Sequence, residues 1–150
     1  MRIAVGSDHR GVDMRAKLVE LLGRLGQRVI DAGSYGEDDD YPDVAALVAE
    51  KVSSGDVDRG ILICGTGLGM CIVANKIPGI RAAPCHDELT AELSRRHNDL
   101  NVLCLSGDML GEKLVDRLVE VWLETPFDGG RHARRIEKIA AMERANGTAS

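Results

Sequence analysis

The sequence predicts a three-layer, Rossmann-like α/β fold with a five-stranded parallel sheet and one extra helix at the C-terminus. Short apolar runs alternate with segments of helical periodicity, the pattern of strands buried on both faces between crossover helices. The alternation recurs along the chain with no internal repeat and no low-complexity segment, which favours βα units over a bundle or sandwich. At 150 residues the chain fits a single domain, 1–150, long enough for a substantial core.

The strands are expected at 3–5, 28–30, 60–64, 80–83 and 101–105. Met14, Leu18, Leu21, Leu22 and Leu25 make the first helical stripe, with Gly26 as its stop signal. Segments 43–52, 69–76 and 87–96 fill the next three gaps as helices. Leu110, Leu114, Leu118 and Val121 make a further stripe, which ends before Thr125-Pro126. A last helix, about 131–145, follows the completed sheet; its apolar positions Ile136, Ile139 and Ala140 need a partner surface, which another subunit could supply. The tail 146–150 is expected to be disordered, and the acidic loop Glu37-Asp38-Asp39-Asp40 solvated.

A net charge of −5 with one Phe, two Tyr and one Trp argues against a nucleic-acid surface built on basic patches and stacking aromatics. No apolar run approaches the roughly 18 residues of a membrane span. The first residues read as a strand rather than a signal peptide, so the expected compartment is the cytoplasm. Cys64, Cys71, Cys85 and Cys104 lack paired metal-ligand spacing; free thiols and no metal site are expected.

The chemistry points to Ile61-Leu62-Ile63-Cys64-Gly65-Thr66-Gly67-Leu68-Gly69-Met70. An apolar strand ends in a cysteine, and three alternate glycines lead into a helix. Such a turn aims backbone N–H groups and a helix dipole at one spot, where an oxyanion or phosphate can sit. A cysteine there could act as a base beside an anion cradle, or simply be buried in a tight turn. Open parallel sheets bind ligands beyond the C-terminal strand ends, where Asp8-His9 also falls. That pair could bind hydroxyls or anions, or be a helix N-cap with an exposed histidine. His97-Asn98 could move protons or be a polar helix end, and it lies by the start of strand 5, the opposite edge of the sheet. A second subunit would resolve that placement. Arg131 and Arg135, four apart, could grip a dianion together or form a solvated basic face. A dinucleotide fingerprint fails because Met70 stands where its third glycine belongs; a low-molecular-weight phosphatase loop fails because the same position lacks its arginine.

Together these residues resemble the ribose-5-phosphate isomerase B family, which includes the galactose-6-phosphate isomerase subunits. The matching motifs are Ser7-Asp8-His9, Tyr41-Pro42-Asp43, Cys64 to Met70 followed by Ala74-Asn75-Lys76, Gly79-Ile80-Arg81-Ala82, and Ser94-Arg95-Arg96-His97-Asn98-Asp99 with Asn101-Val102-Leu103. Pro126-Phe127-Asp128-Gly129-Gly130-Arg131-His132 and Arg135 complete the set. The resemblance implies that Cys64 is the base moving a proton between C1 and C2 of an open-chain sugar. Thr66 and the amides of Gly65, Gly67 and Gly69 would stabilise the enediolate, and His97 would help open the furanose ring. It further implies that Asp8 holds sugar hydroxyls, that Tyr41 and Asn98 line the pocket, and that His9, Arg131 and Arg135 bind the phosphate. The arginines would come from a neighbouring subunit of a homodimer or tetramer, with no metal or organic cofactor.

One departure stands out: Asp108 occupies the loop after strand 5 where many family members carry Arg. Asp108 is expected to lie clear of the phosphate. The expected reaction interconverts ribose 5-phosphate and ribulose 5-phosphate, with a hexose 6-phosphate or tetrose phosphate as the alternative. A non-catalytic phosphometabolite-binding module would keep the glycine turn without needing Cys64 and His97 together.

Overall fold

A computed structural model describes residues 1–33 and 40–148. The acidic residues at 37–39 therefore lie outside the described residues, as do Ala149 and Ser150. Five strands, β1 (Arg2–Ser7), β2 (Arg28–Gly33), β3 (Arg59–Cys64), β4 (Ala82–Pro84) and β5 (Val102–Ser106), form one all-parallel sheet in the order β2-β1-β3-β5-β4. Six helices connect and flank them: α1 (Val12–Arg24), α2 (Tyr41–Ser53), α3 (Leu68–Ala74), α4 (Glu88–Asn98), α5 (Glu112–Glu124) and α6 (Arg131–Thr148). The chain steps from β1 to one side and then returns to place β3 on the other. The C-terminal ends of β1 and β3 thus form the crevice of a topological switch point.

Strand side chains alternate between two cores. Ile3, Val5, Ile61, Ile63, Leu103 and Leu105 face α1, α4 and α5, where Leu18, Leu22, Leu118 and Trp122 are fully buried. Ala4, Leu62, Val102 and Cys104 face α2 and α3, represented by Val44, Val48, Met70 and Ala74. The second layer is thin because glycines let α2 approach the sheet. A Cβ on Gly6 would stand 2.7 Å from Val44 Cγ1, and one on Gly60 2.7 Å from Val48 Cγ1.

The elements differ from the expected ones at several edges. Helix α1 closes as foreseen, with Gly26 at φ 79° and the Gln27 amide donating to the Leu22 carbonyl. Leu25, however, falls in that cap and is exposed rather than part of the stripe. β4 starts at Ala82, not at residue 80, because Gly79 turns the chain and Asn101 holds it; the Asn101 side chain accepts from the Arg81 amide and donates to the Gly79 carbonyl. The buried face of α5 is Val115, Leu118, Val119 and Trp122, one stripe round from the expected Leu110, Leu114, Leu118 and Val121. Both stripes have helical spacing, and the bulk of Trp122 decides which one is buried. Helix α6 runs to Thr148, past the expected break at Asn146, since one glycine costs a helix only about 1 kcal/mol. Its Ile136 and Ala140 are half-buried, whereas Ile139 is 52% exposed. No helix among the described residues is long and apolar enough to cross a membrane.

The close approach of α2 is testable at Gly60. An alanine in an open strand position stabilises a protein by about 0.4–1 kcal/mol by restricting the unfolded chain. At Gly60 the new methyl meets Val48, so Gly60→Ala should destabilise by about 1–3 kcal/mol, read as a lower urea midpoint. An unchanged or raised midpoint would contradict the packing argument.

Candidate active site

The site sits at the C-terminal strand ends because the β3–β5 ladder continues beyond the strands. Within the sheet Cys64 pairs with Ser106. Past it, the Gly107 amide donates to the Cys64 carbonyl (2.8 Å) and the Asp108 amide to the Gly65 carbonyl (3.2 Å). Ser106 Oγ ties the same two loops, donating to the Gly65 carbonyl (2.6 Å) and accepting from the Met109 amide (3.0 Å). From the other side, the Asp8 amide donates to the Ile63 carbonyl. Three strand ends are thereby fixed around one cavity of about 420 Å³, lined by Asp8, Arg10, Tyr41, Cys64, Gly65, Thr66, Gly69 and Asp108.

The glycine turn is built as its sequence suggested. Gly67 has φ 81° and starts α3 from the left-handed region, against the backbone of Leu105. Its amide donates to Cys64 Sγ at 3.1 Å, which holds the sulfur as an acceptor at the cavity edge. In the free protein that amide is engaged by the cysteine. Thr66 Oγ1 accepts from the Leu68 amide (3.2 Å), so its hydroxyl hydrogen is left to donate elsewhere. Gly69 is required by Tyr41: a Cβ there would lie 2.6 Å from the phenol ring. Asp8 is buried and caps a 3-10 turn, His9–Gly11, through Oδ1 to the Arg10 amide.

His9 is exposed and does not line the cavity, whereas the next residue, Arg10, does. Asp108 lines it too. Arg10 Nη2 lies 3.0 Å from Asp108 Oδ2 and Nε donates to Oδ1 at 3.3 Å.

The remaining expected residues form a second constellation. His97 and Asn98 end α4 just before β5, at the sheet edge where Gly60 pairs with Val102. At about 3.3 Å per residue, the four positions from Gly60 to Cys64 separate the two edges by about 13 Å. Neither His97 nor Asn98 reaches the Cys64 cavity of its own chain. The loop before α6 folds back on α4, because the Asp128 amide donates to the Arg96 carbonyl and the Asp128 carboxylate pairs with the Arg96 guanidinium. This brings His132 against His97, with ring centroids 4.2 Å apart and planes 8° apart. Arg131 and Arg135 stand exposed beside them and, among the described residues, form no ion pair. The contact of His132 with His97 joins segments whose proximity the local sequence does not signal.

His97, Asp128 and His132 are of metal-ligating type and lie within reach of one another. Nearly parallel rings do not converge their nitrogen lone pairs on one point, and Arg96 already occupies Asp128. The geometry suits an imidazole stack better than a coordination sphere.

The family model described as Ribose/Galactose Isomerase matches residues 3–139. Ribose-5-phosphate isomerase B of Escherichia coli is 46% identical over 143 residues, 95% of this chain and 96% of that protein. D-erythrulose-4-phosphate isomerase of Pectobacterium atrosepticum is 42% identical, covering 95% of each chain. The solved structure of Clostridium thermocellum ribose-5-phosphate isomerase B superposes with a TM-score of 0.92 at 46% identity, over 97% of this chain and 99% of that one.

The stack generates a pH prediction. His132 is held below the ordinary histidine pKa, first by desolvation, then by the positive neighbours His97, Arg131 and Arg135, with Asp128 opposing. As pH falls through about 6.5 the unfolded chain binds this proton before the folded chain does, so stability falls with it. His132→Gln should lose less urea resistance than wild type between pH 7.5 and 5.5; an equal loss would contradict the assignment.

A cysteine turn of this form, on this sheet, in a chain matched over nearly its whole length, identifies the protein as a member of the ribose/galactose isomerase family, an aldose–ketose isomerase of the ribose-5-phosphate isomerase B type.

Proposed function

We propose that the protein interconverts ribose 5-phosphate and ribulose 5-phosphate, at a site completed by a second copy of the chain. The observation that carries the reading is Cys64 Sγ, held by the Gly67 amide at the edge of a cavity that also contains Asp8. A base beside hydrogen-bond donors suits proton transfer next to a carbonyl. In this reading Cys64 removes the C2 proton of the open-chain aldose, and the electron pair moves through C1 to its oxygen. The Thr66 hydroxyl and the amides of Gly65 and Gly69 stabilise the resulting enediolate. Return of the proton to C1, with transfer between the oxygens, gives the ketose. Asp8 and Tyr41 hold the sugar hydroxyls.

The second constellation supplies what the Cys64 cavity lacks. From a partner subunit, His97 would open the furanose ring, Asn98 would line the pocket and Arg131 with Arg135 would bind the phosphate. Two exposed arginines four apart on one helix suit a dianion. The half-exposed stripe of α6 supports such an interface. His9, exposed beside Asp8, would add to the phosphate ligands.

A second reading, a tetrose phosphate as the natural substrate, draws on the Pectobacterium relative, named as a D-erythrulose-4-phosphate isomerase. A panel of pentose, tetrose and hexose phosphates followed by NMR in D2O decides between them. The pentose pair should interconvert fastest, and Cys64→Ala should slow deuterium uptake at C2 by at least the roughly 10²–10⁴-fold of a lost acid–base group. Near wild-type exchange in Cys64→Ala would remove Cys64 as the base.

A further inference from the structure

The Cys64 cavity has an unexpected charge arrangement. Two carboxylates, Asp8 and Asp108, line it, and Arg10 is the one cation among its lining residues. A phosphosugar is mostly dianionic near neutral pH, so this half of the site would repel its ligand if Arg10 were absent or fully neutralised. Arg10 is neither. Its side chain is 58% exposed, and its guanidinium uses two nitrogens on Asp108, itself 43% exposed. Exposed ion pairs contribute only about 0–1 kcal/mol, so a dianion can exchange with the carboxylate. A planar guanidinium is well matched to phosphate oxygens.

The pair is also built into the backbone. Asp108 follows the ladder that ties Gly107 to Cys64, and Arg10 follows the Asp8 cap. Side-chain-free positions make room for it. A Cβ on Gly65 would stand 3.0 Å from Asp108 Oδ2 and 3.3 Å from Arg10 Cδ, and one on Gly107 would stand 2.9 Å from the Arg10 carbonyl. The ion pair therefore lies directly over the residue that follows Cys64.

We infer that Arg10 is a specificity-determining residue that meets the substrate's phosphate from the Cys64 side, and that Asp108 is its resident counter-ion, displaced when a phosphosugar binds. The inference rests on the isomerase reading above and adds to it. Asp108 holds the guanidinium fork at the rim in the free protein and weakens the site for anions, so a sugar without phosphate gains nothing by displacing it. The device selects for dianionic ligands.

Calorimetric titration with ribose 5-phosphate, alongside KM and kcat for the same sugar and for ribose, tests this directly. Arg10→Ala should raise Kd and KM for ribose 5-phosphate by about 10- to 100-fold, the loss expected for one charge-assisted contact, with a smaller change in kcat and little change in weak binding of ribose. Arg10→Lys should recover part of the loss, because it restores the charge without the fork. Asp108→Asn should lower Kd by up to about fivefold, since the competing charge is gone. Arg10→Ala with unaltered Kd, or an equal loss for ribose, would overturn the assignment to phosphate; weaker phosphosugar binding in Asp108→Asn would overturn the counter-ion role. A wild type that binds phosphosugars without isomerising any of them would overturn the reading above, while the Kd ratios still decide this one.

Discussion

The site depends on the parallel pairing of β3 with β5 and on its continuation past both strands. Backbone bonds from Gly107 to Cys64 and from Asp108 to Gly65 lock the two loops at the register set by the sheet. Because that register is buried on both faces by Ile61, Leu62, Ile63, Leu103 and Leu105, it cannot slip without exposing two cores. The cysteine sulfur, the glycine turn and the Arg10–Asp108 pair all inherit their positions from it. Rigidity at this point matters because a donor or base displaced by 1 Å can cost about 10²-fold in rate.

The same parallel topology separates the two constellations. Every crossover helix returns the chain to the N-terminal edge of the sheet, so His97, at the end of α4, must emerge far from Cys64. The loop from Asp128 then gathers His132, Arg131 and Arg135 beside His97. Each chain thus displays Cys64 with Asp8 and Tyr41 at one edge, and His97 and His132 with the exposed Arg131 and Arg135 at the other. The proposed association of two copies would turn two incomplete surfaces into complete sites and would cover the half-buried apolar positions that α6 presents after the sheet is finished.

Local signals made much of this legible in the sequence. Alternating periodicities gave the layers and the five parallel strands, and Gly26 and the Cys64 turn carried their own geometry in short motifs. What escaped was set by packing or by strand order. The buried face of α5 turns on one tryptophan, which competes with an equally periodic leucine stripe. Arg10 and Asp108 are 98 residues apart and meet only because β1, β3 and β5 are neighbours in the sheet. Asp108 alone reads as a repulsive charge placed away from phosphate, and only the ion pair shows what balances it. His9 and Arg10 are adjacent in sequence, and the cap at Asp8 decides which one points to the cavity.

Subunit mixing tests the shared site most directly. Cys64→Ala and His97→Asn variants, each inactive alone on cyclic ribose 5-phosphate, are dissociated together and allowed to reassemble. Every hybrid dimer then holds one site with both Cys64 and His97 and one with neither, so random pairing should restore about a quarter of wild-type activity. Restoration to that level supports a site built from two chains. Activity that stays at the level of the separate variants, with hybrids present by native mass spectrometry, would contradict it.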